Sequence, residues 1–96
     1  APSPIVQLNR AVAVSMAFGP AEPLIIVDAL VESGELEAYH LLFAVRGDLL
    51  VRLGRMSEAR AEFERAASLT RNERERRLMQ ARAEACGALV APAPLA

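Results

Sequence analysis

No lysine occurs among the 96 residues; all eleven basic side chains are arginine. An arginine-only complement reads as base-composition bias of a GC-rich bacterial genome, rather than as selection for bidentate contacts to phosphate or carboxylate. Cysteine occurs once, at Cys86, which excludes an internal disulfide and fits a reducing cytoplasm. Histidine also occurs once, at His40. One histidine and one cysteine cannot assemble a metal site of ordinary ligand count, and His40 has no sequence support for a Ser/His/Asp triad. Glycines are scattered, so no phosphate-cradling loop is present and no cofactor is expected. A net charge of −1 lacks the basic excess of a non-specific nucleic-acid binder. No apolar run approaches the roughly 20 residues that a membrane span needs, and the N-terminus does not read as a signal peptide. Aromatics make up only 4% of the chain, so leucine, valine, isoleucine and alanine must fill the core.

What remains is apolar sequence at helical spacing, and no strand pattern. Ser3-Pro4 is a hydroxyl cap followed by proline at the first helical position. Ile5, Leu8, Val12 and Met16 then predict one buried face, and Gly19-Pro20 stops the helix. A second helix is expected from Pro20–Pro23 to about Glu32, with Leu24, Val27, Leu30 and Val31 inward. A third should run from Leu36 to Leu53 and be apolar on two sides, which places it between neighbours. Part of its apolar surface is expected to be covered by upstream helices or by a second copy of the chain. A fourth helix, capped by Ser57, would bury Ala59, Phe63, Ala66 and Leu69. A fifth opens at Asn72 with Glu75 in capping-box position. It would bury Leu78, Ala81 and Ala85, with Met79 and Cys86 beside them, and end at Gly87. The expected organisation is a linker over 1–3, one helical domain over 4–88 and a disordered tail over 89–96. The Ala1-Pro2-Ser3-Pro4 start reads as an interdomain linker.

Gly19 and Gly54 each separate a longer apolar helix from an amphipathic one, and they lie 35 residues apart. That is close to the 34-residue period of tetratricopeptide repeats. Phe43, Gly47 and Leu50, followed by Ala59, Phe63 and Ala66, match the repeat pattern. Arg46 stands where an apolar residue is usual, and Arg71 where a proline is usual. Gly47 implies close helix packing, with Ala59 as the small residue opposite. The chain therefore resembles an all-α, tetratricopeptide-like α–α superhelix of about five antiparallel helices: two helical hairpins and a capping helix. An unrelated five-helix bundle is the alternative.

A narrower resemblance rests on the Ser3-Pro4-Ile5-Val6-Gln7-Leu8-Asn9-Arg10-Ala11-Val12-Ala13 stretch. Gly19-Pro20, Tyr39-His40-Leu41-Leu42, Arg46-Gly47-Asp48-Leu49-Leu50 and Leu53-Gly54-Arg55 extend it. Over roughly Ser3 to Cys86 this resembles the C-terminal helical extension of a subgroup of bacterial extracytoplasmic-function RNA polymerase sigma factors. The resemblance implies a cytoplasmic, non-catalytic regulatory domain that controls sigma activity in transcription initiation. Its partners would be the sigma regions of its own chain or a regulatory protein. RNA polymerase would be reached only through the full-length protein, with no direct DNA binding by this segment. The alternative is a stand-alone tetratricopeptide-type module that binds a peptide or protein.

Six residues are candidate partner-binding positions. Asn9 is polar on an apolar helix and Arg10 is its neighbour; the other reading is that they satisfy local backbone or acidic groups. Asp48 and Arg52 lie one turn apart, able to line a groove or to form a surface ion pair. Arg74 and Arg77 belong to a basic cluster with Arg71, Arg76 and Arg82, readable as a docking face for an acidic partner or as a solvated helix face. No catalytic residue and no metal ligand is proposed.

Overall fold

In the computed structural model, residues 3–90 are described. They form five helices and no strand: α1 Pro4–Phe18, α2 Ala21–Ser33, α3 His40–Arg52, α4 Met56–Leu69 and α5 Glu73–Val90. Residues 91–96 of the expected tail, and residues 1 and 2 of the expected linker, lie outside the described residues. Short connections make chain neighbours antiparallel. Contacts follow sequence order: α1 packs on α2, α2 on α3, α3 on α4 and α4 on α5, with a smaller contact of α1 on α3. The outcome is elongated, 56 × 31 × 21 Å.

The hydroxyl of Ser3 accepts from the Val6 N–H at 3.2 Å, and Pro4 occupies the first helical position, as the sequence indicates. Gly19 and Gly54 end the first helix of each hairpin region at φ 92° and 77°, a backbone conformation that a side chain disfavours. The third helix begins at His40, four residues later than expected. Residues 34–39 fold instead as successive turns: Glu37 N–H donates to Gly34 O and Tyr39 N–H to Leu36 O. Ser57 is not the cap of α4; Arg55 holds that place with no side-chain cap. Arg55 pairs with Glu58 at 2.6 Å, and its carbonyl accepts the Ala59 N–H. Asn72 does cap α5, accepting the Glu75 N–H at 3.0 Å. The reciprocal half of the capping box is missing, because the Glu75 carboxylate turns to Thr70 and His40. Gly87 does not end α5, which continues to Val90.

The core centres on α3 and α4. Leu42, Phe43, Leu49 and Leu50 of α3 meet Ala59, Phe63, Ala66 and Ala67 of α4, all buried. Gly47 permits this approach. A Cβ there would lie 2.8–3.0 Å from the ring of Phe63, the nearest side chain across the contact, and Ala59 is buried on the same facing helix. Leu42, Phe43, Leu49 and Leu50 of α3 are covered within the chain, whereas Leu41 stays exposed and Val45 half-buried, on the side where a cover by upstream helices or a second copy is expected. Arg46, the departure from the repeat pattern, fastens three helices. Its Nε donates to Asp28 Oδ1 of α2 at 2.8 Å, and its Nη1 lies 3.2 Å from Glu62 Oε1 of α4. Burial raises the pKa of Glu62 above the usual carboxylate value, against the pull of Arg46 and Arg65.

Two helices are rotated from their expected faces. α1 buries Leu8, Ala11 and Ser15, and leaves Ile5, Val12 and Met16 exposed, Met16 at 82%. Small Ala11 and Ser15 let α1 come close to its neighbours, so their side of the helix wins over the bulkier stripe. α5 buries Met79, Ala83 and Cys86, while Leu78, Ala81 and Ala85 are exposed. α2 buries Leu24, Val27 and Leu30 as expected, together with Pro23.

A candidate docking groove across the odd-numbered helices

Six of the exposed large apolar residues, Ile5, Val12, Met16, Leu41, Leu78 and Leu89, fall into a pattern, whereas Val6, Phe18, Ile25 and Leu53 lie outside it. On α1, Ile5, Asn9, Val12 and Met16 follow one another at steps of four, three and four. On α3, Leu41, Val45, Asp48 and Arg52 repeat those steps, and on α5 so do Leu78, Arg82, Ala85 and Leu89. Steps of four, three and four hold residues on one side of a helix. All twelve are exposed except the half-buried Val45. Two cavities join the three stripes. One, of about 300 Å³, is lined by Val51, Met56, Phe63, Ala85, Cys86 and Leu89, together with Asp48 and Arg82. The other, of about 220 Å³, is lined by Val12, Ser15, Ala44, Val45 and Leu49, again with Asp48 and Arg82. Sharing two residues makes them one groove, lined by α1, α3 and α5 together with Met56 and Phe63 of α4.

The electrostatics of this groove are sparse. The Arg82 guanidinium stands 5.9 Å from the Phe63 ring centre, within cation–π reach. Among the described residues, no carboxylate oxygen lies within 4.0 Å of Arg82 and no cationic group within 4.0 Å of Asp48. Arg52 does not pair with Asp48 one turn away. Its Nη2 donates to Ser15 O at 2.9 Å, which ties α3 to the end of α1.

The six candidate residues are thus divided. Asn9, Asp48 and Arg52 belong to the groove stripes. Arg10 faces elsewhere, lining a recess with Gln7, Ile25, Ile26 and Ala29 between α1 and α2. Arg74 and Arg77 are exposed on α5 off the groove stripe, with Arg77 lying 3.6 Å from Glu73. The basic cluster is not a single surface. Arg76 donates to Thr70 O at 2.8 Å and to Ala67 O at 3.4 Å, so it satisfies the open end of α4 and pairs with Glu73. Arg82 alone of the cluster turns into the groove. Sequence reasoning missed the placement of Val12, Ala85 and Leu89 in the groove lining, and of Met16 on its stripe, by assigning them to the core or the tail. The four-three-four steps shared by three alternate helices were the signal that could have found them.

One polar cluster lies outside the groove. His40 Nε2 stands 2.7 Å from Glu75 Oε2, without the alignment of a hydrogen bond, and the Thr70 hydroxyl donates to the same oxygen at 3.0 Å. The Thr70 hydroxyl also accepts the Asn72 N–H at 3.2 Å. Thr70 is 3% exposed, so the cluster joins the start of α3 to the start of α5 and offers no accessible nucleophile. Among the described residues, no group of three or more His, Cys, Asp or Glu is placed to hold a metal ion, and no helix is long and apolar enough to cross a membrane.

No protein-family model and no solved structure matches the chain. It is similar to an uncharacterized protein of Rhizobium meliloti (strain 1021), 49% identical over 74 residues, covering 77% of this chain and 17% of that protein. The chain thus spans about one sixth of the length of the curated relative it matches. The class reached by fold and site is an all-helical chain of five sequentially packed helices with an open apolar groove.

Proposed function

We propose that this chain is a non-catalytic, regulatory protein-interaction domain of an extracytoplasmic-function RNA polymerase sigma factor. The helices would be arranged as in a tetratricopeptide-like superhelix, with α1–α2 and α3–α4 as hairpins and α5 as the cap. The domain would act in the cytoplasm, on the sigma regions of the same polypeptide, and set whether the factor initiates transcription. It would reach RNA polymerase only through the full-length protein and would bind no DNA itself. The observation that carries the interaction reading is the groove. It is largely apolar, runs across three helices and carries Asp48 and Arg82 in its lining, with Asn9 and Arg52 on the stripes beside it. Exposed apolar surface of this kind, rimmed by polar groups, marks protein-binding sites. The sigma assignment rests on the sequence resemblance over Ser3 to Cys86. A relative several times longer than the chain supports a domain working within a larger protein.

The test is capture on a biosensor. The domain is immobilised, and the promoter-reading and polymerase-binding regions of such a sigma factor are passed over it separately. Saturable binding of either region is the expected result. No binding of either region, together with sigma-dependent transcription that is unchanged when the domain is deleted, would refute the proposal.

A further inference from the structure

We infer that the groove is built to hold an amphipathic α-helix with a large apolar anchor, an acidic residue on the edge facing Arg82 and a basic residue on the edge facing Asp48. The backbone argument decides for a helix over an extended peptide. All three walls are helices whose backbone groups bond internally, so the groove offers no strand edge. Its polar side chains are too few to pair the N–H and C=O groups of an extended segment lying on apolar surface. Unpaired backbone groups removed from water are costly. A helix satisfies its own backbone and presents only side chains, which is what three parallel stripes of Ile5, Val12 and Met16, of Leu41 and Val45, and of Leu78 and Leu89 can receive.

Charge and shape set the remaining features. Arg82 and Asp48 line both cavities, and neither has an ionic partner among the described residues. They stand on different helices, so a partner helix running along the groove meets a cation on the α5 side and an anion on the α3 side. Opposite charges on its two edges would fix its direction as well as its place. The cavity of about 300 Å³ beneath Leu89 opens between them and accepts a large apolar side chain. The source of this helix is a sigma region of the parent polypeptide, which rests on the functional reading above; the groove's preference for such a helix does not.

The experiment separates the two. A fluorescein-labelled amphipathic peptide of about four helical turns, with leucine anchors, glutamate along one edge and arginine along the other, is titrated with the domain by fluorescence anisotropy. A proline-broken version is the control for helicity. The helical peptide should bind and the broken one should not. Arg82→Glu should weaken binding about tenfold, and exchanging the peptide's glutamates for arginines should restore it. Met16→Asp, at a residue already exposed, should weaken binding by a similar factor, whereas Ile25→Asp on the outer side of α2 should leave it unchanged. Equal binding of both peptides, or loss with Ile25→Asp but not with Arg82→Glu, would overturn the groove. A peptide that binds as described but is not displaced by the sigma regions would overturn the source and leave the groove standing. Sigma regions captured equally well by the Arg82→Glu and Met16→Asp domains would keep the functional reading and remove this site from it.

Discussion

The α1–α2 hairpin and the α3–α5 unit are built from different materials. Residues 1–39 hold one arginine against five acids, and residues 40–96 hold ten arginines against seven. The only aromatic within α1 and α2 is Phe18, which is 81% exposed. Phe43 and Phe63 are buried in the other unit, each with a guanidinium over its ring, Arg65 at 4.3 Å and Arg82 at 5.9 Å. The hairpin leaves Ile5, Val6, Val12, Met16 and Ile25 exposed as well. The α3–α5 unit therefore buries the large aromatic side chains, and the hairpin keeps spare apolar surface that, on the proposed function, would receive a partner. Arg46 to Asp28, and Arg52 to Ser15 O, are the polar ties between the two.

The comparison breaks most sharply at its aromatic centres. Phe63→Ala should cost about 3–5 kcal/mol in urea unfolding, whereas Phe18→Ala should change stability by no more than about 0.5 kcal/mol. Equal effects would abolish the asymmetry. Arg46→Ala, which leaves Glu62 half-buried without its partner and unties α2 from α3, should cost about 2–3 kcal/mol. Amides of α1 and α2 should then exchange with solvent faster relative to those of α4. Gly47→Ala tests the close approach within α3–α4. Better helix propensity, about 1 kcal/mol, opposes a Cβ pressed to 2.8 Å from a buried ring. The clash should win by roughly 1 kcal/mol net, since overpacking costs about 1–3 kcal/mol. A stabilised variant would mean that the ring has room to move.

The smallest effect concerns pH. Because the native pKa of Glu62 is raised by burial, the folded state binds its proton more tightly than the unfolded chain does. That contribution to stability is greatest below the ordinary carboxylate pKa and is lost as pH rises through the raised value. Glu62→Gln removes it. The stability of the unmodified chain relative to this variant should fall as pH rises above the ordinary carboxylate pKa, as read from urea midpoints. A difference independent of pH would contradict the burial of this carboxylate.

Helix number and the four turns between helices were legible because proline, glycine and cap residues act locally. Ser3, Gly19, Gly34 and Asn72 all mark helix ends in the structure. Facing was less legible. In α1 and α5 apolar residues occupy two adjacent sides, and size alone favoured the stripe of Ile5, Val12 and Met16, or of Leu78. The choice is made by close packing, which needs Ala11, Ser15 and Ala83, and no single-helix pattern reports what lies opposite. The start of α3 was missed because Leu36 packs on the core from a turn and so mimics a helical position. Of the site candidates, Asn9, Asp48 and Arg52 lie on the groove stripes. Arg74 and Arg77 stand out in the sequence by charge density, which says nothing about which side of α5 is turned to the groove.

The most direct test of the central claim is hydrogen exchange of the domain alone and with saturating sigma regions, resolved by helix. The account predicts new protection in α1, α3 and α5, with α2 and the outer face of α4 unchanged. Protection centred on α2, or on the start of α5 around Arg74 and Arg77 with α1 unaffected, would contradict it.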